Sequence, residues 1–582
     1  MLMKQGSSLM TLFAAPTESE SDNDDSCDDS DSDGNNETGI IFQALPFQVL
    51  VSHVCHRWRE VALDAHILWT TLEFARRPQL DWARMYITRS GELRLNIHVY
   101  CVLPKGANEA DHPHHPLYHK SKALQKKSIR EALAAEHGED DTSQADEMDD
   151  DDNDDHTILF LSQKELERIL DLIKPTVSRW GIFSFKAGTS GYIHLLISWL
   201  HALPSAPLLE TFQMYDFRVG DNHDYQVFDG DDKTGFLPFH GDAPLLKEVT
   251  LWSMCIDWDA ALPSFLRGLH VFKLYFQHED SHPSYETFTQ IINNSPDLLT
   301  LCLAGAGPAL RDNVPYDTDI TDGGWGMTSL TIPSVVDLML QFHDPKYASA
   351  LAKHLDVPNV TALVLDFGGE DYSEFVDALL TPINGRTENL LRQIEHMAIG
   401  GLPCNVYSAE ALLGQLVKLK SLNIKTKRKL EEKIIVQKLT YPYAGRSSMG
   451  PPAPGLNVNT NPEGYQHQQD LAAAMPSSNT PLPAFFCPCL ESIIMHGVPG
   501  MEIKELLRTR LKLGMPLKRV WMSQEDTLSM KEERWIREHV EKFKLFVPPN
   551  SADDPEDDFE GDEDENGENR VDRDDDGSQK KW

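Results

Sequence analysis

The residues best suited to metal chemistry lie in acidic and histidine-rich stretches. Asp29-Ser-Asp-Ser-Asp-Gly34 resembles the opening of a calcium-binding loop, in which alternate carboxylates coordinate one cation. The twelfth loop position needs a bidentate Glu, but the sequence has Ile40 there. Partial matches of this kind often arise by chance in acid-rich sequence, so we predict no calcium site.

Histidine and cysteine pairs raise the same question for zinc. Neither group has the paired spacing of a structural zinc site, so we predict a polar loop for the histidines, buried structural thiols for the cysteines, and no metal or cofactor. These candidates are His112, His114, His115, His119, Cys487 and Cys489.

Catalytic motifs are absent from the sequence. It contains no Gly-x-x-x-x-Gly-Lys-Ser/Thr, no Gly-x-Ser-x-Gly and no His-Glu-x-x-His. Its carboxylates cluster in runs without the apolar surroundings that would shift a pKa, so we predict no enzyme. The eight cysteines show no framework spacing, which is typical of a reducing compartment.

The net charge of −38 is concentrated in three tracts. Glu18–Glu37 holds 10 acids, Glu139–Asp155 holds 11 and Asp553–Asp576 holds 15. The rest of the chain is nearly neutral, which argues against a basic nucleic-acid reader and predicts no direct nucleic-acid partner. No apolar run reaches the ~20 residues of a membrane helix. We therefore expect no membrane association and a cytoplasmic and/or nuclear protein.

Four stretches lack the composition of a packed core and are predicted to be disordered: 1–37, 104–156, 442–485 and 551–582. The first contains serines followed three residues later by an acid, which resemble sites of acid-directed kinases. Phosphorylation would add negative charge to this acidic tail. The candidate serines are Ser19, Ser21, Ser26 and Ser30.

A short apolar string recurs along the chain, and five copies begin with proline. In Pro207–Met214 the apolar residues are Leu209, Phe212 and Met214. Apolar residues two apart predict a strand with one buried face, and we expect the proline, which has no N–H, at the strand's entry. The other copies start at Pro244, Pro296, Pro358 and Pro488, and those without proline at Leu269, Val335, Ile394, Leu419 and Leu517.

Amphipathic helix-length segments lie between these strings. Alternation of strand and helix at intervals near 25 residues resembles a leucine-rich-repeat solenoid. We predict an α/β fold with a short helical amino-terminal segment followed by an irregular horseshoe of such repeats. The competing interpretation is an ordinary α/β domain with parallel strands. The predicted helices are Gly191–Leu203, Tyr285–Asn293, Tyr347–His354, Tyr372–Leu380, Ala409–Leu416 and Ile503–Leu513.

An apolar stripe with helical spacing follows Pro46, a residue typical of helix starts. It predicts one helix whose apolar face either caps the solenoid or docks a partner. The stripe consists of Phe47, Leu50, Val51, Val54, Cys55, Trp58, Val61 and Ala62.

Val51-Ser-His-Val-Cys-His-Arg-Trp-Arg-Glu-Val-Ala62 resembles the second half of the F-box motif. Leu68-Trp-Thr-Thr-Leu72 and Trp82–Leu95 resemble the segment that follows it in fungal F-box proteins, so the similarity covers Ile40 to Leu95. The family's Leu-Pro-x-Glu opening is absent here. The resemblance implies a three-helix domain that binds the Skp-type adaptor of a Skp–cullin–F-box ubiquitin ligase. It implies that the adaptor-binding candidates are Phe47, Leu50, Val51, Val54, Cys55 and Trp58.

The sequence thus predicts a non-catalytic substrate receptor, in which the F-box-like segment docks the adaptor and its cullin complex and the repeats bind an unknown target protein. The alternative is an acidic leucine-rich-repeat scaffold that binds histones or other basic proteins. A third interpretation is a scaffold whose F-box no longer docks. The predicted segments are an acidic tail (1–37), the F-box-like segment and link (38–103), an insertion (104–156), the solenoid (157–441), a second insertion (442–485), the last repeats and a helix (486–550), and an acidic tail (551–582).

Overall fold

Strands and helices alternate along the chain. The structure is a computed structural model that describes residues 47–75, 80–101, 161–188, 190–217, 235–310, 325, 329–426, 434–440 and 486–547. The described strands are β1 Thr71–Phe74, β2 Leu95–Cys101, β3 Trp180–Ala187, β4 Thr211–Asp216, β5 Glu248–Trp252, β6 Val271–Tyr275, β7 Thr300–Ala304, β8 Leu330–Thr331, β9 Asp337–Gln341, β10 Leu355–Asp356, β11 Ala362–Asp366, β12 His396–Gly400, β13 Ser421–Lys425, β14 Ser492–His496, β15 Arg519–Ser523 and β16 Lys542–Phe546.

The described α-helices lie between these strands, apart from two at the amino end. They are α1 Phe47–Val54, α2 His56–Asp64, α3 Leu80–Arg89, α4 Gln163–Ile173, α5 Ser190–His201, α6 Trp258–Ala261, α7 Tyr285–Asn293, α8 Pro345–His354, α9 Ser373–Leu380, α10 Val406–Gln415, α11 Ile434–Thr440, α12 Gly500–Lys512 and α13 Met530–His539.

Fourteen of these strands form one sheet, in chain order from β1 to β16 with β8 and β10 left out. All its pairings are parallel, and β8 and β10 form a separate parallel pair. Parallel neighbours need a crossover, and most of the crossovers contain one of the described helices. The predicted α/β class is therefore confirmed. The sheet starts at Thr71, so the stretch assigned to the F-box-like segment and link contains its first two strands.

All ten apolar strings form strands, and the five prolines lie outside them as predicted, although ahead of the strand's entry rather than at it. Each of the five strands begins four residues after its proline rather than at it. The N–H of Leu209 donates to Ala206 O at 3.2 Å, and the same bond recurs at Leu298 to Ser295 O at 3.1 Å. The proline is thus the second residue of a turn that closes before the strand, where its fixed φ is favourable. Pro333 has the same offset from β9, so the Val335 string also has its proline.

Alternate residues of each strand face opposite layers. The second and fourth residues of the five-residue strands pack with the helices in one core, as Leu301 and Leu303 of β7 do. The first, third and fifth residues lie on the other side, which we call the open face. Its middle carries a second, small apolar cluster: Cys302, Ala304, Met339, Ala362, Val364 and Ala398.

The residue after a strand often turns the chain with a positive φ. Gly305, Gly401 and Gly497 do so, and so do Phe276 at 47° and Phe342 at 53°. The left-handed region is costly for a bulky side chain. The Phe276 N–H donates to Ala304 O at 2.7 Å and the Phe342 N–H to Asp366 O at 2.8 Å, so each turn is tied to the next strand. The two rings lie 5.0 Å apart at the carboxyl edge of the sheet.

His343, next to one of these turns, makes folding dependent on pH. Its Nε2 donates to Leu303 O at 3.0 Å, and burial lowers the pKa of this side chain to about 3. A histidine held neutral in the folded state takes up its proton on unfolding below an ordinary pKa near 6.5. Its contribution to stability is therefore present at pH 7.5 and is lost as the pH falls through 6.5.

We expect His343 alone to lower the free energy of unfolding by about 1.4 kcal/mol between pH 7.5 and pH 5.5. Urea unfolding of the native protein and of His343→Gln at both pH values measures this, since the variant retains a donor but does not titrate. An equal pH dependence in the two proteins would contradict the prediction.

Candidate functional site

The apolar stripe after Pro46 forms two helices, so the prediction of one continuous helix is wrong. Cys55 interrupts it with extended backbone angles, φ −160° and ψ 171°, and is the N-cap of α2. The interruption frees carbonyls at the end of α1, and the Arg59 guanidinium donates to Ser52 O at 2.8 Å. A cation at a helix carboxyl end is favourable. The break turns the stripe into two short, adjacent helices.

The helix pair is fastened to the first end of the sheet through Trp69. The buried Trp69 indole donates to Ala62 O at 2.8 Å, and its ring meets Tyr86 edge-on at 5.0 Å. Gln48 of α1 donates to the Tyr86 hydroxyl at 2.6 Å. The Arg89 guanidinium lies 4.4 Å from the Trp69 ring centroid, a cation–π arrangement. The pair is thus held by a few specific contacts rather than by burial of its apolar stripe.

The predicted adaptor-binding residues are mostly exposed on this pair. Phe47 is 66% exposed, Val54 68%, Trp58 53% and Leu50 48%. Cys55 is also exposed and Val51 is half-buried. α1 buries no residue, and α2 buries only Ala62. Among the described residues, therefore, the stripe is mostly exposed, and Ala62 is its one buried member.

Two further exposed apolar residues lie beside the predicted adaptor-binding residues. Val61 is exposed on α2, and Ile67 is exposed on the short 3₁₀ helix that follows it. Val61 belongs to the helical spacing and was identifiable from sequence, whereas Ile67 lies outside that spacing and carries no such signal. We call Phe47, Leu50, Val54, Trp58, Val61 and Ile67 the helix-pair patch. It holds six of the eighteen exposed large apolar side chains of the described residues.

The open face of the sheet offers a second surface. Tyr100, Lys186, Tyr215, Trp252 and Tyr275 pair in register on successive strands. The Lys186 ammonium lies 5.0 Å from the Tyr215 centroid and 5.5 Å from that of Tyr100. Trp252 and Tyr275 stack at 4.9 Å. A row of aromatic rings on a rigid sheet is typical of protein-binding surfaces, where such side chains supply much of the affinity.

Ionisable groups in the middle of the open face are shifted by burial. Burial raises the pKa of the Cys302 thiol to about 11, which keeps it protonated at neutral pH. A protonated thiol is a poor nucleophile. Burial also lowers the pKa of Lys273 on the neighbouring strand. The thiol therefore packs as an apolar group in the small open-face cluster.

The metal and phosphorylation candidates do not come together in a described site. The prediction of buried thiols is confirmed for Cys487, whose pKa is raised by burial to about 12 and whose thiol donates to Leu413 O at 3.9 Å. It is wrong for Cys489, which is exposed. No group of three or more metal-ligating side chains lies together in the part of the chain that the structure describes. The four histidines at 112–119, Asp29–Gly34, and Ser19, Ser21, Ser26 and Ser30 lie outside the described residues.

None of the described helices has both the length and the apolar composition to cross a membrane. Comparison with known proteins adds no family assignment: no family model matches the chain, and no curated protein matches it.

Proposed function

We propose that this chain is a non-catalytic substrate-recognition subunit of a Skp–cullin–F-box ubiquitin ligase. The observation that carries the proposal is the helix-pair patch, which lies within the F-box-like sequence and whose six apolar side chains are all exposed in the described residues. Exposed apolar patches of this kind mark protein–protein interaction sites. In this role α1 and α2 present the patch to the Skp-type adaptor, which links the chain to the cullin.

The strand–turn–helix units then act as an irregular leucine-rich-repeat solenoid. Support comes from the in-order parallel sheet, the recurring proline turn and the stacking of α8 to α12 beside one another. In such an array each unit contacts its neighbours and the strands line a continuous surface. The target protein binds the open face, with its aromatic row as the anchor. The complex works in the cytoplasm, the nucleus or both.

The second candidate function is an acidic scaffold for histones or other basic proteins. It draws on the three acidic tracts, all of which lie outside the described residues. Its binding would weaken steeply with salt, because exposed charges are screened beyond about 10 Å at 0.1 M ionic strength. An apolar adaptor contact is far less sensitive, so the two functions respond differently to salt.

The test is titration calorimetry of the full-length chain with a purified Skp-type adaptor. We expect micromolar or tighter binding, and at least a tenfold loss on Val54→Asp, because a carboxylate would have to be desolvated in an apolar contact. Val406→Asp is the matched control: Val406 is exposed at the start of α10, where an acid suits the helix dipole. No binding at any accessible concentration, or equal binding by Val54→Asp, would refute the proposal.

A further inference from the structure

The aromatic row reaches the carboxyl edge of the sheet, where further rings join it. Trp252 is the last residue of β5 and Tyr275 the last of β6. The Phe217 ring lies 5.2 Å from that of Trp252, and the Phe276 ring lies 4.9 Å from it. Phe342 continues the series, with its ring 5.0 Å from that of Phe276. We call these five side chains, none of which is buried, the aromatic edge.

Two rings of the aromatic edge stand where other units have glycine. Phe276 and Phe342 directly follow their strands with φ of 47° and 53°, whereas Gly305, Gly401 and Gly497 hold the same position after β7, β12 and β14. The left-handed conformation costs a bulky residue about 1–3 kcal/mol, which glycine would avoid. Backbone strain of this kind clusters at binding and active sites. The two rings thus stand at this edge although they lower stability, which indicates a role in binding.

The loops beside the aromatic edge are acidic. The loops that lead from β5, β6, β7, β9 and β11 towards the next helix contain seven acids and one lysine. They are residues 253–259, 276–282, 305–310, 342–346 and 367–371. One of the acids, Asp280, lies 3.7 Å from the His278 ring. The other six, which we call the acidic rim, are Asp257, Asp259, Glu279, Asp344, Glu370 and Asp371.

The acidic rim is not neutralised by cations of the chain. Its hydrogen-bond donors are neutral: the Asp257 and Asp344 carboxylates accept backbone N–H groups at helix starts, and the Asp259 carboxylate accepts the Thr287 hydroxyl at 3.1 Å. None of the six acids forms an ion pair with a lysine or arginine among the described residues. A partner at this edge therefore meets an excess of negative charge.

The acidic rim lies close to the aromatic edge. Because the strands are parallel and in register, their carboxyl ends share one edge of the sheet. Asp344 is two residues from Phe342, and Glu279 is three residues from Phe276. Their backbones are therefore at most about 7 Å and about 11 Å apart. One side chain of a partner can reach both the rings and the carboxylates.

We propose that the target protein binds the aromatic edge through a basic segment, whose lysine or arginine side chains pack on the rings and pair with the acidic rim. The proposal rests on the proposed role of the open face and adds the chemistry of the target. Long cationic side chains suit both surfaces, because the hydrocarbon stem packs on apolar rings while the charged end reaches a carboxylate. Lys186 packs in this way within the chain, between Tyr100 and Tyr215.

The test is fluorescence anisotropy of the full-length chain with fluorescein-labelled nona-arginine in 0.3 M salt, where screening weakens long-range attraction by the acidic tracts. We expect Glu279→Gln/Asp344→Asn/Glu370→Gln to bind the peptide about tenfold more weakly than the native chain does. The variant removes half of the charges of the acidic rim, and asparagine at 344 still caps α8.

A matched control makes the same charge change elsewhere. In Glu167→Gln/Asp171→Asn/Glu538→Gln the altered residues are exposed on α4 and α13, and we expect binding equal to that of the native chain. The rings are tested by Phe276→Gly/Phe342→Gly. Glycine suits the left-handed backbone, so the turns are kept. We expect this variant to bind about tenfold more weakly, with an unchanged circular dichroism spectrum.

Four outcomes would overturn the proposal. The first is no binding of nona-arginine by the native chain, and the second is equal binding by the native chain and either edge variant. The third is an equal loss in the control variant, which would show that only the total charge matters. The fourth is tighter binding of labelled nona-glutamate than of nona-arginine. The adaptor is absent from this assay, so each of these outcomes leaves the proposed adaptor binding standing.

Discussion

Gly497→Ala is expected to lower the free energy of unfolding by about 3 kcal/mol. Gly497 follows β14 with φ +79°, a conformation that alanine adopts only at a cost. A Cβ there would lie 2.1 Å from the Thr426 backbone oxygen and 2.6 Å from its hydroxyl. The Gly497 N–H is also held by the Asp526 carboxylate at 3.0 Å, so the turn cannot move without losing that bond. Strain and steric overlap therefore add.

Gly191→Ala is the matched control for this experiment. Gly191 lies in α5 with nothing within 4 Å of an added Cβ. Alanine is a better helix former than glycine by about 1 kcal/mol, so we expect this variant to be more stable than the native protein. Urea unfolding followed by circular dichroism measures both. If Gly497→Ala unfolds at the same urea concentration as the native protein, the turn after β14 does not require glycine.

Arg510→Leu is expected to destabilise the protein by about 3 kcal/mol. Arg510 of α12 is 2% exposed, and its guanidinium donates to Cys487 O at 3.0 Å and to Phe486 O and Leu490 O at 3.4 Å. Leucine would remove the guanidinium donor from Phe486 O and Leu490 O, and would leave Cys487 O with the turn's own Leu490 N–H at 3.2 Å. The three carbonyls belong to the proline turn that leads into β14, so we expect hydrogen exchange to rise first in residues 486–490.

Arg508→Leu provides the comparison on the same helix. Arg508 is more exposed and pairs with Glu505 at 2.9 Å, and surface pairs of this kind contribute between 0 and 1 kcal/mol. Equal stability losses in the two variants would show that Arg510 makes no special contribution to the turn. A loss confined to Arg510→Leu, with faster exchange in 486–490, is the expected result.

The strands were predicted correctly because apolar residues two positions apart can be recognised in the local sequence, without knowledge of what the strand packs against. The six helix predictions also hold: Tyr285–Asn293 matches α7, and Gly191–Leu203 ends two residues after α5. The turn that holds the proline was not predicted, because spacing identifies the strand, whereas the turn is defined by a backbone hydrogen bond that spacing does not show. β2 was missed because it lacks the recurring string, whereas β1 and β3 were missed although Trp69, Leu72 and Phe74, and Trp180, Phe183 and Phe185, have its spacing.

In the candidate site, too, the sequence predicted which residues are apolar and regularly spaced, but not the backbone conformation. The helical spacing identified Phe47, Val54 and Trp58, but it continues through Cys55 because the apolar positions on both sides fit one period. Only the backbone angles of Cys55 reveal the break. The aromatic row could not be identified from sequence spacing, since Tyr100 and Tyr275 are far apart in the chain and lie on one face only through the pairing of β2 to β6.

The order of the main sheet determines how the molecule responds to mechanical tension. The order of strands in this sheet follows their order along the chain, so each strand pairs with the sheet strands that come just before and just after it in sequence. Its thirteen spacings extend over roughly 60 Å along the sheet, with the first and last strands at opposite ends. A pull on the chain's two ends therefore loads β1 and β16 first and peels strands inward one unit at a time. The sheet should therefore unfold under tension in a series of small extensions, one strand–helix unit at a time, rather than in a single event.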